Sequence, residues 1–139
     1  MTVADRIPLE IITPQRVVYR GDVQMFRAPG TLGSFQVFPR HAPLLSTLEI
    51  GEIDIRQPDG AEHAIATSGG FVEVLGSGIT VLAETAEFAG EIDQKRAEDA
   101  RARAEQRFGT RGDATIDRAR AEAALARAVN RLKVARRPQ

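Results

Sequence analysis

The sequence predicts an antiparallel β-sandwich, or flattened barrel, followed by a C-terminal antiparallel two-helix hairpin. Three observations carry that prediction. From about residue 4 to residue 87 apolar side chains alternate with a period of two between closely spaced turn signals. After Gly90 the apolar period lengthens to that of a helix. The charge changes sign at the same place: residues 1–90 carry 6 basic and 11 acidic side chains, a net of −5, and residues 91–139 carry 13 and 8, a net of +5. Two units are therefore expected, an N-terminal sandwich over residues 1–87 and a helical hairpin over residues 91–139, with different partners.

In "RIPLEIIT", Ile7, Leu9 and Ile11 fall on one face of a strand, and "EIDIR" repeats the pattern with Ile53 and Ile55. "GFVEVL" and "GITVLAE" follow the same period, while "TPQ", "RGD", "APGTLG", "QPDG", "SGG" and "GSG" interrupt it at short intervals. Short strands joined by tight turns do not make a parallel sheet, whose crossovers need a dozen or more residues. The glycines of "SGGF" predict a strand junction with a bulge or a close backbone approach. Phe26, Phe35, Phe38 and Phe71 are assigned to core or interface, in that order.

Asp93 is placed to cap a helix whose first turn is Gln94 to Arg96, and Gly109 to end it near Phe108. The polar turn "GTRGDAT" leads to a second helix from about Ile116 to Ala135, capped by Asp113 or Thr115 and followed by Pro138. Ala97, Ala100, Ala104 and Phe108 form a stripe on the first helix, and Ala121, Ala124, Ala128 and Leu132 form its counterpart on the second. Alanine seams bring helices close but remove little apolar area from water, so the hairpin is expected to be weakly held and movable.

Two segments within the hairpin are near copies. "RAEDARARAEQRF" (96–108) and "RAEAALARAVNRL" (120–132) agree at eight of thirteen positions, 24 residues apart. Arg96, Arg103 and Arg107 share one helical face within about 40°, and Arg120, Arg127 and Arg131 repeat the spacing. Two readings of these six guanidiniums stand. One is a solvated face screened by Glu98, Glu105 and Glu122. The other is an anion site, for which a polyphosphate is the natural ligand because guanidinium forks match phosphate oxygens in pairs.

Several function classes are excluded or weakened. The chain has no cysteine and only two histidines, His41 and His63, which removes disulfides and leaves little for a metal. No apolar run approaches the ~20 residues of a membrane helix, and "MTVADRIPLE" lacks the basic start and apolar centre of a signal peptide. Nothing resembles a nucleophile with its base, a carboxylate pair or a P-loop, so no catalytic residue is assigned. A nucleic-acid-binding module using the arginine helices is the alternative from another class. The interspersed glutamates and the acidic sandwich oppose it, so no nucleic-acid partner is expected.

The order "ITPQRVVYRGDV", "PGTLGSFQVFPRHAPLLSTLEIG", "SGGFVEVLGSGITVLAETAE", "EIDQKRAEDA" and "AEAALARAVNRLKVA" resembles the epsilon subunits of bacterial F-type ATP synthases, called delta in mitochondria. "HAPLL", "SGGFVEV" and the "ID" opening the first helix are together the most specific part. The resemblance implies a non-catalytic central-stalk subunit that joins the gamma subunit to the c ring. It implies a hairpin that folds down on the sandwich or extends toward the alpha and beta catalytic subunits, where it inhibits ATP hydrolysis. It implies a peripheral position on the cytoplasmic face of the bacterial plasma membrane, held there through the complex alone.

Some members of that family bind ATP in the folded-down hairpin through Ile/Leu-Asp-x-x-Arg-Ala, an upstream glutamate and arginines of both helices. Ile92, Asp93, Arg96 and Ala97 stand at the motif positions, Glu87 at the glutamate, and Arg103, Arg107, Arg120, Arg127 and Arg131 where basic groups are found. The resemblance thus implies no required cofactor, with ATP as a regulatory ligand. Ser34, Arg40 and His41 correspond to the gamma or c-ring contact. There the chain departs from the family pattern: Ser34 replaces an acidic residue, and Gln36 and Arg40 replace glycines. A side chain in place of a glycine must either avoid positive φ or bear its cost.

Overall fold

The computed structural model describes residues 5–109 and 115–137, without the side chains of residues 108, 109 and 115–117. The expected "GTRGDAT" turn, the Asp113 and Thr115 caps, the packing of Phe108 and the role of Pro138 lie outside the described residues.

Among the described residues, ten strands form one hydrogen-bonded sheet. In chain order they are β1 (Ile7–Ile12), β2 (Val17–Val23), β3 (Met25–Gly30), β4 (Gly33–Val37) and β5 (Leu44–Leu48). Next come β6 (Gly51–Arg56), β7 (Glu62–Thr67), β8 (Gly70–Leu75), β9 (Gly78–Ala83) and the short β10 (Ala86–Phe88). Strand order is β10-β7-β6-β3-β5-β8-β9-β1-β2, with β4 paired to β3. β3 and β5 meet through the Gly30–Leu48 pair. There the sheet turns over on itself, and the inward side chains of its two halves close on one core.

The core is the set that the period-two reading selects: Ile7, Leu9, Ile11, Ile53, Ile55, Val72, Val74, Ile79 and Val81 are all buried. The phenylalanines also rank as expected. Phe26 is fully buried and Phe35 packs half-buried against it, with ring centroids 6.4 Å apart. Phe38 and Phe71 are exposed.

The pairs joined by tight turns are antiparallel. β1 and β9 pair parallel, in the register Leu9–Ile79 to Ile12–Leu82. This finding goes beyond the sequence reading, and its cause is chain length. The two strands are separated by most of the sandwich, so the crossover requirement that excludes parallel neighbours is met by the intervening strands themselves.

β7 lacks strand alternation: Ala64, Ile65, Ala66 and Thr67 are all buried. Ile65 belongs to the core, whereas Ala64 and Ala66 face the other way and are covered by the C-terminal helix. "SGGF" makes the expected close approach. Gly70 sits at φ +144°, and a Cβ there would fall 2.1 Å from the Leu82 carbonyl oxygen.

A 3-10 turn, Ala89–Glu91, leads to helices α1 (Gln94–Gly109) and α2 (Thr115–Ala135). Asp93 caps α1 as expected, its Oδ1 accepting the Arg96 backbone N–H at 3.1 Å. Ala97 and Ala104 of α1, and Ala121, Ala128 and Leu132 of α2, are buried. Ala100 and Ala124, from the same stripes, are half-buried and border a cavity. α2 lies on the sheet and α1 packs against α2.

Replacing Gly70 with Ala should cost at least ~2 kcal/mol, because both the backbone angle and the space forbid a side chain. Urea unfolding followed by circular dichroism checks this, and a fall in the transition midpoint is expected.

Candidate functional site

The site begins with the way α2 is seated. Ala64 and Ala66 leave the outer face of β7 nearly flat, and Val134 of α2 packs there with Ala89 and Ile92. Small side chains let the helix come close enough for direct polar contact with the strands. Asn130 Nδ2 donates to the Gly51 carbonyl at 2.8 Å and to the Thr67 carbonyl at 3.4 Å. Arg131 grips Glu87 of β10 with both arms of its guanidinium, Nε to Oε1 at 2.7 Å and Nη2 to Oε2 at 3.2 Å. Beyond the end of α2, Arg137 meets Glu52 Oε2 at 2.8 Å and Asp54 Oδ1 at 3.9 Å on β6.

Above the Arg131–Glu87 pair, sandwich and hairpin separate and enclose a cavity of about 630 Å³. Its volume lies within the ~300–1,000 Å³ range of small-molecule sites. Arg103 and Arg107 of α1 and Arg127 and Arg131 of α2 reach it from the hairpin, with alanines between them. Thr13, Gln15, Arg16, Ser68, Thr85 and Glu87 border it from the sandwich. Arg131 is paired to Glu87, and Arg16 to Glu91 at 2.8 Å. Among the described residues Arg103, Arg107 and Arg127 form no ion pair. The cavity wall is therefore cationic, above a floor of alanine methyls and hydroxyls.

The residues singled out in the sequence divide into three groups. Glu87, Arg103, Arg107, Arg127 and Arg131 converge on the cavity. Ile92, Asp93 and Ala97 shape the start of the hairpin, as apolar anchor against Val134, N-cap and buried seam residue. Arg96 and Arg120 are exposed and do not border the cavity. Ser34, Arg40 and His41 lie elsewhere, exposed at the start of β4 and in the turn after it. Arg40 occupies φ +67°, bearing the cost of standing where a glycine is expected, whereas Gln36 avoids positive φ within β4. The turn is closed by the His41 N–H donating to the Phe38 carbonyl at 3.2 Å.

Sequence reasoning missed Arg16, Thr13, Gln15, Ser68 and Thr85. They come from strand ends that are distant in the chain and brought together by the sheet, and no local pattern marks them.

Profiles of two ATP synthase delta/epsilon chain domains match the sequence: the beta-sandwich domain over residues 6–89 and the long alpha-helix domain over residues 91–136. This chain belongs to the ATP synthase delta/epsilon family. It is 43% identical to the ATP synthase epsilon chain of Syntrophomonas wolfei, over 94% of each chain. It is 49% identical to that of Herpetosiphon aurantiacus, again over 94% of each, and 47% identical to that of Syntrophobacter fumaroxidans, over 95% of this chain and 97% of the relative. The delta/epsilon fold recurs in a chain of the Euglena gracilis mitochondrial ATP synthase structure of OSCP, F1 and c-ring, with a TM-score of 0.77 at 19% identity. That match covers 91% of this chain and 79% of the other. Among the described residues no helix is long and apolar enough to cross a membrane.

Asn130→Ala should loosen the hairpin by about 1–2 kcal/mol, since it strips two strand carbonyls of a donor. Hydrogen exchange would show faster amides in α1 and α2, with protection in β8 and β9 unchanged.

Proposed function

We propose that this chain is the non-catalytic central-stalk subunit of a proton-translocating F-type ATP synthase, and that its docked hairpin is the compact state of a brake on ATP hydrolysis. Held peripherally at the cytoplasmic face of the bacterial plasma membrane, it would join the gamma subunit to the c ring. When extended, the hairpin would reach the alpha and beta subunits. Membership of the delta/epsilon family over both domains supports the stalk role. So does the outer face of β5, β8 and β9, where Leu45, Phe71, Leu75 and Leu82 are exposed and offer an apolar contact for gamma. Ser34, Arg40 and His41 are assigned to the gamma or c-ring end of that contact.

The cavity carries the regulatory reading. Guanidiniums from both helices face it, so a bound polyphosphate would tie α1, α2 and the sandwich together. ATP is the ligand we assign. Its phosphates would meet Arg103, Arg107 and Arg127, and its base the alanine floor. A ligand that binds only the compact state stabilises it by mass action, by about 1.4 kcal/mol at ten times its dissociation constant. ATP would thus withdraw the hairpin from its inhibitory position. Glu87 would hold Arg131 in place, Asp93 would cap α1, and Arg96 and Arg120 would act in the extended state.

Calorimetric titration of ATP into the full chain should give saturable binding that weakens at least tenfold in both Arg103→Ala and Arg127→Ala. No heat at millimolar ATP would remove the nucleotide from the reading and leave the brake. In the assembled complex, a chain ending after Gly90 should raise the rate of ATP hydrolysis several-fold. An unchanged rate would remove the brake.

A further inference from the structure

A second contact between hairpin and sandwich, at the opposite edge from the cavity, has chemistry of its own. Glu52 and Asp54 are two apart on β6 and so project from the same face, the one α2 covers. Both are largely enclosed, with 16% and 18% of their side chains exposed. Arg137 supplies one guanidinium across the two carboxylates, and it lies closer to Glu52 than to Asp54. Glu52 Oε2 is satisfied by Arg137, whereas Glu52 Oε1 is buried without a hydrogen-bond donor. An ionised carboxylate oxygen in that position bears a desolvation cost with no return. A proton on Oε1 removes the cost, because it turns an orphaned acceptor into a donor toward Asp54.

We infer that Glu52, Asp54 and Arg137 form a proton-dependent latch, in which the docked hairpin holds a proton on Glu52 and gives it up when α2 lifts from β6. The balance is one proton. Docked, Glu52 is a neutral acid that donates to the Asp54 carboxylate, and Arg137 compensates the single negative charge. Undocked, Glu52 is hydrated and ionised, and its proton passes to solvent.

Burial pushes the Glu52 carboxyl up from 4.5 to about 7, with the hydrogen bond to Asp54 and that group's negative charge adding to the rise, and Arg137 and Lys133 of α2 opposing it. The other charged or titratable groups around the recess beside Asp54 are Arg27 of β3, Arg56 of β6, and Glu62 and His63 of β7. The sign follows from the raised value. The contribution of Glu52 to docking is fully present below about 4.5 and is lost as pH rises toward and through about 7, above which it changes no further. One proton changes the docking constant by at most tenfold per pH unit. Mild acidification would therefore hold the hairpin down, and alkalinisation would release it.

The latch goes beyond the nucleotide reading and is tested without nucleotide, so failure of ATP binding leaves it untouched. The chain has no cysteine, so Gly76→Cys and Ala119→Cys place spin labels on the sandwich and on α2. Their separation is read between pH 5 and pH 8.5 in the full chain, with and without Asn130→Ala to lower the docked population. The docked fraction should fall as pH rises to about 7 and then level off. In Glu52→Gln, a permanently neutral isostere, the curve should be flat and docked, while in His63→Gln it should keep its shape. In parallel, carbon NMR of the unmutated chain should show the Glu52 carboxyl titrating near neutrality. A Glu52 carboxyl that titrates in the ordinary acidic range, or a pH dependence retained in Glu52→Gln, overturns the latch.

Discussion

The close seating of α2 on β7 is the constraint from which the rest of the molecule's behaviour follows. It depends on two methyl groups. Because Ala64 and Ala66 are small, the helix axis approaches near enough for Asn130 to bond strand carbonyls directly and for Val134 to be fully enclosed. Larger residues on that face would bury more apolar area but would lift α2, and with it both the Arg131–Glu87 and the Arg137–Glu52 contacts. A thin apolar layer bordered by charge pairs holds an element less firmly than a broad apolar interface does.

The two charged borders differ in kind. At the cavity edge, Arg131 and Glu87 are matched, arm to oxygen, and, among the described residues, the positive charge without an ion-pair partner belongs to Arg103, Arg107 and Arg127. At the far edge two enclosed carboxylates share the Arg137 guanidinium, and one Glu52 oxygen is left without a donor. On the readings proposed above, an anion and a proton would act in the same direction, each stabilising the docked state at a different border. Neither requires the sandwich to change shape.

Legibility in the sequence tracked the range of the interaction. The buried faces of β1, β6, β8 and β9, the Asp93 cap and most of the two alanine stripes are local patterns, and the structure repeats them. The parallel β1–β9 pair was not legible, because its partners are most of a domain apart. β7 was passed over for a related reason. Its run of Ala64 to Thr67 does not alternate, since core covers one face and α2 the other, and continuous burial erases the strand signature. In the hairpin, helical period correctly put three arginines on a face twice over. It could not say which of them the sandwich would meet, and Arg96 and Arg120, nearest the helix starts, are carried past the cavity. Arg16 and the hydroxyls of the cavity rim left no local mark.

By itself, then, the sequence determined what periodicity and turn chemistry can encode: strands, helices, their inward faces, the change of charge at Gly90, and, through "HAPLL", "SGGFVEV" and the "ID" of the hairpin, the family. Tertiary structure alone decided which charges become neighbours. Glu52 and Asp54 read as the polar half of an ordinary strand until α2 covers them, and Glu87 and Arg131 are 44 residues apart until the hairpin folds back. The physical reason is that burial and pairing of charge depend on surfaces brought together across the chain, and a helix that rests on a sheet supplies a low-dielectric cover that no local run of residues describes.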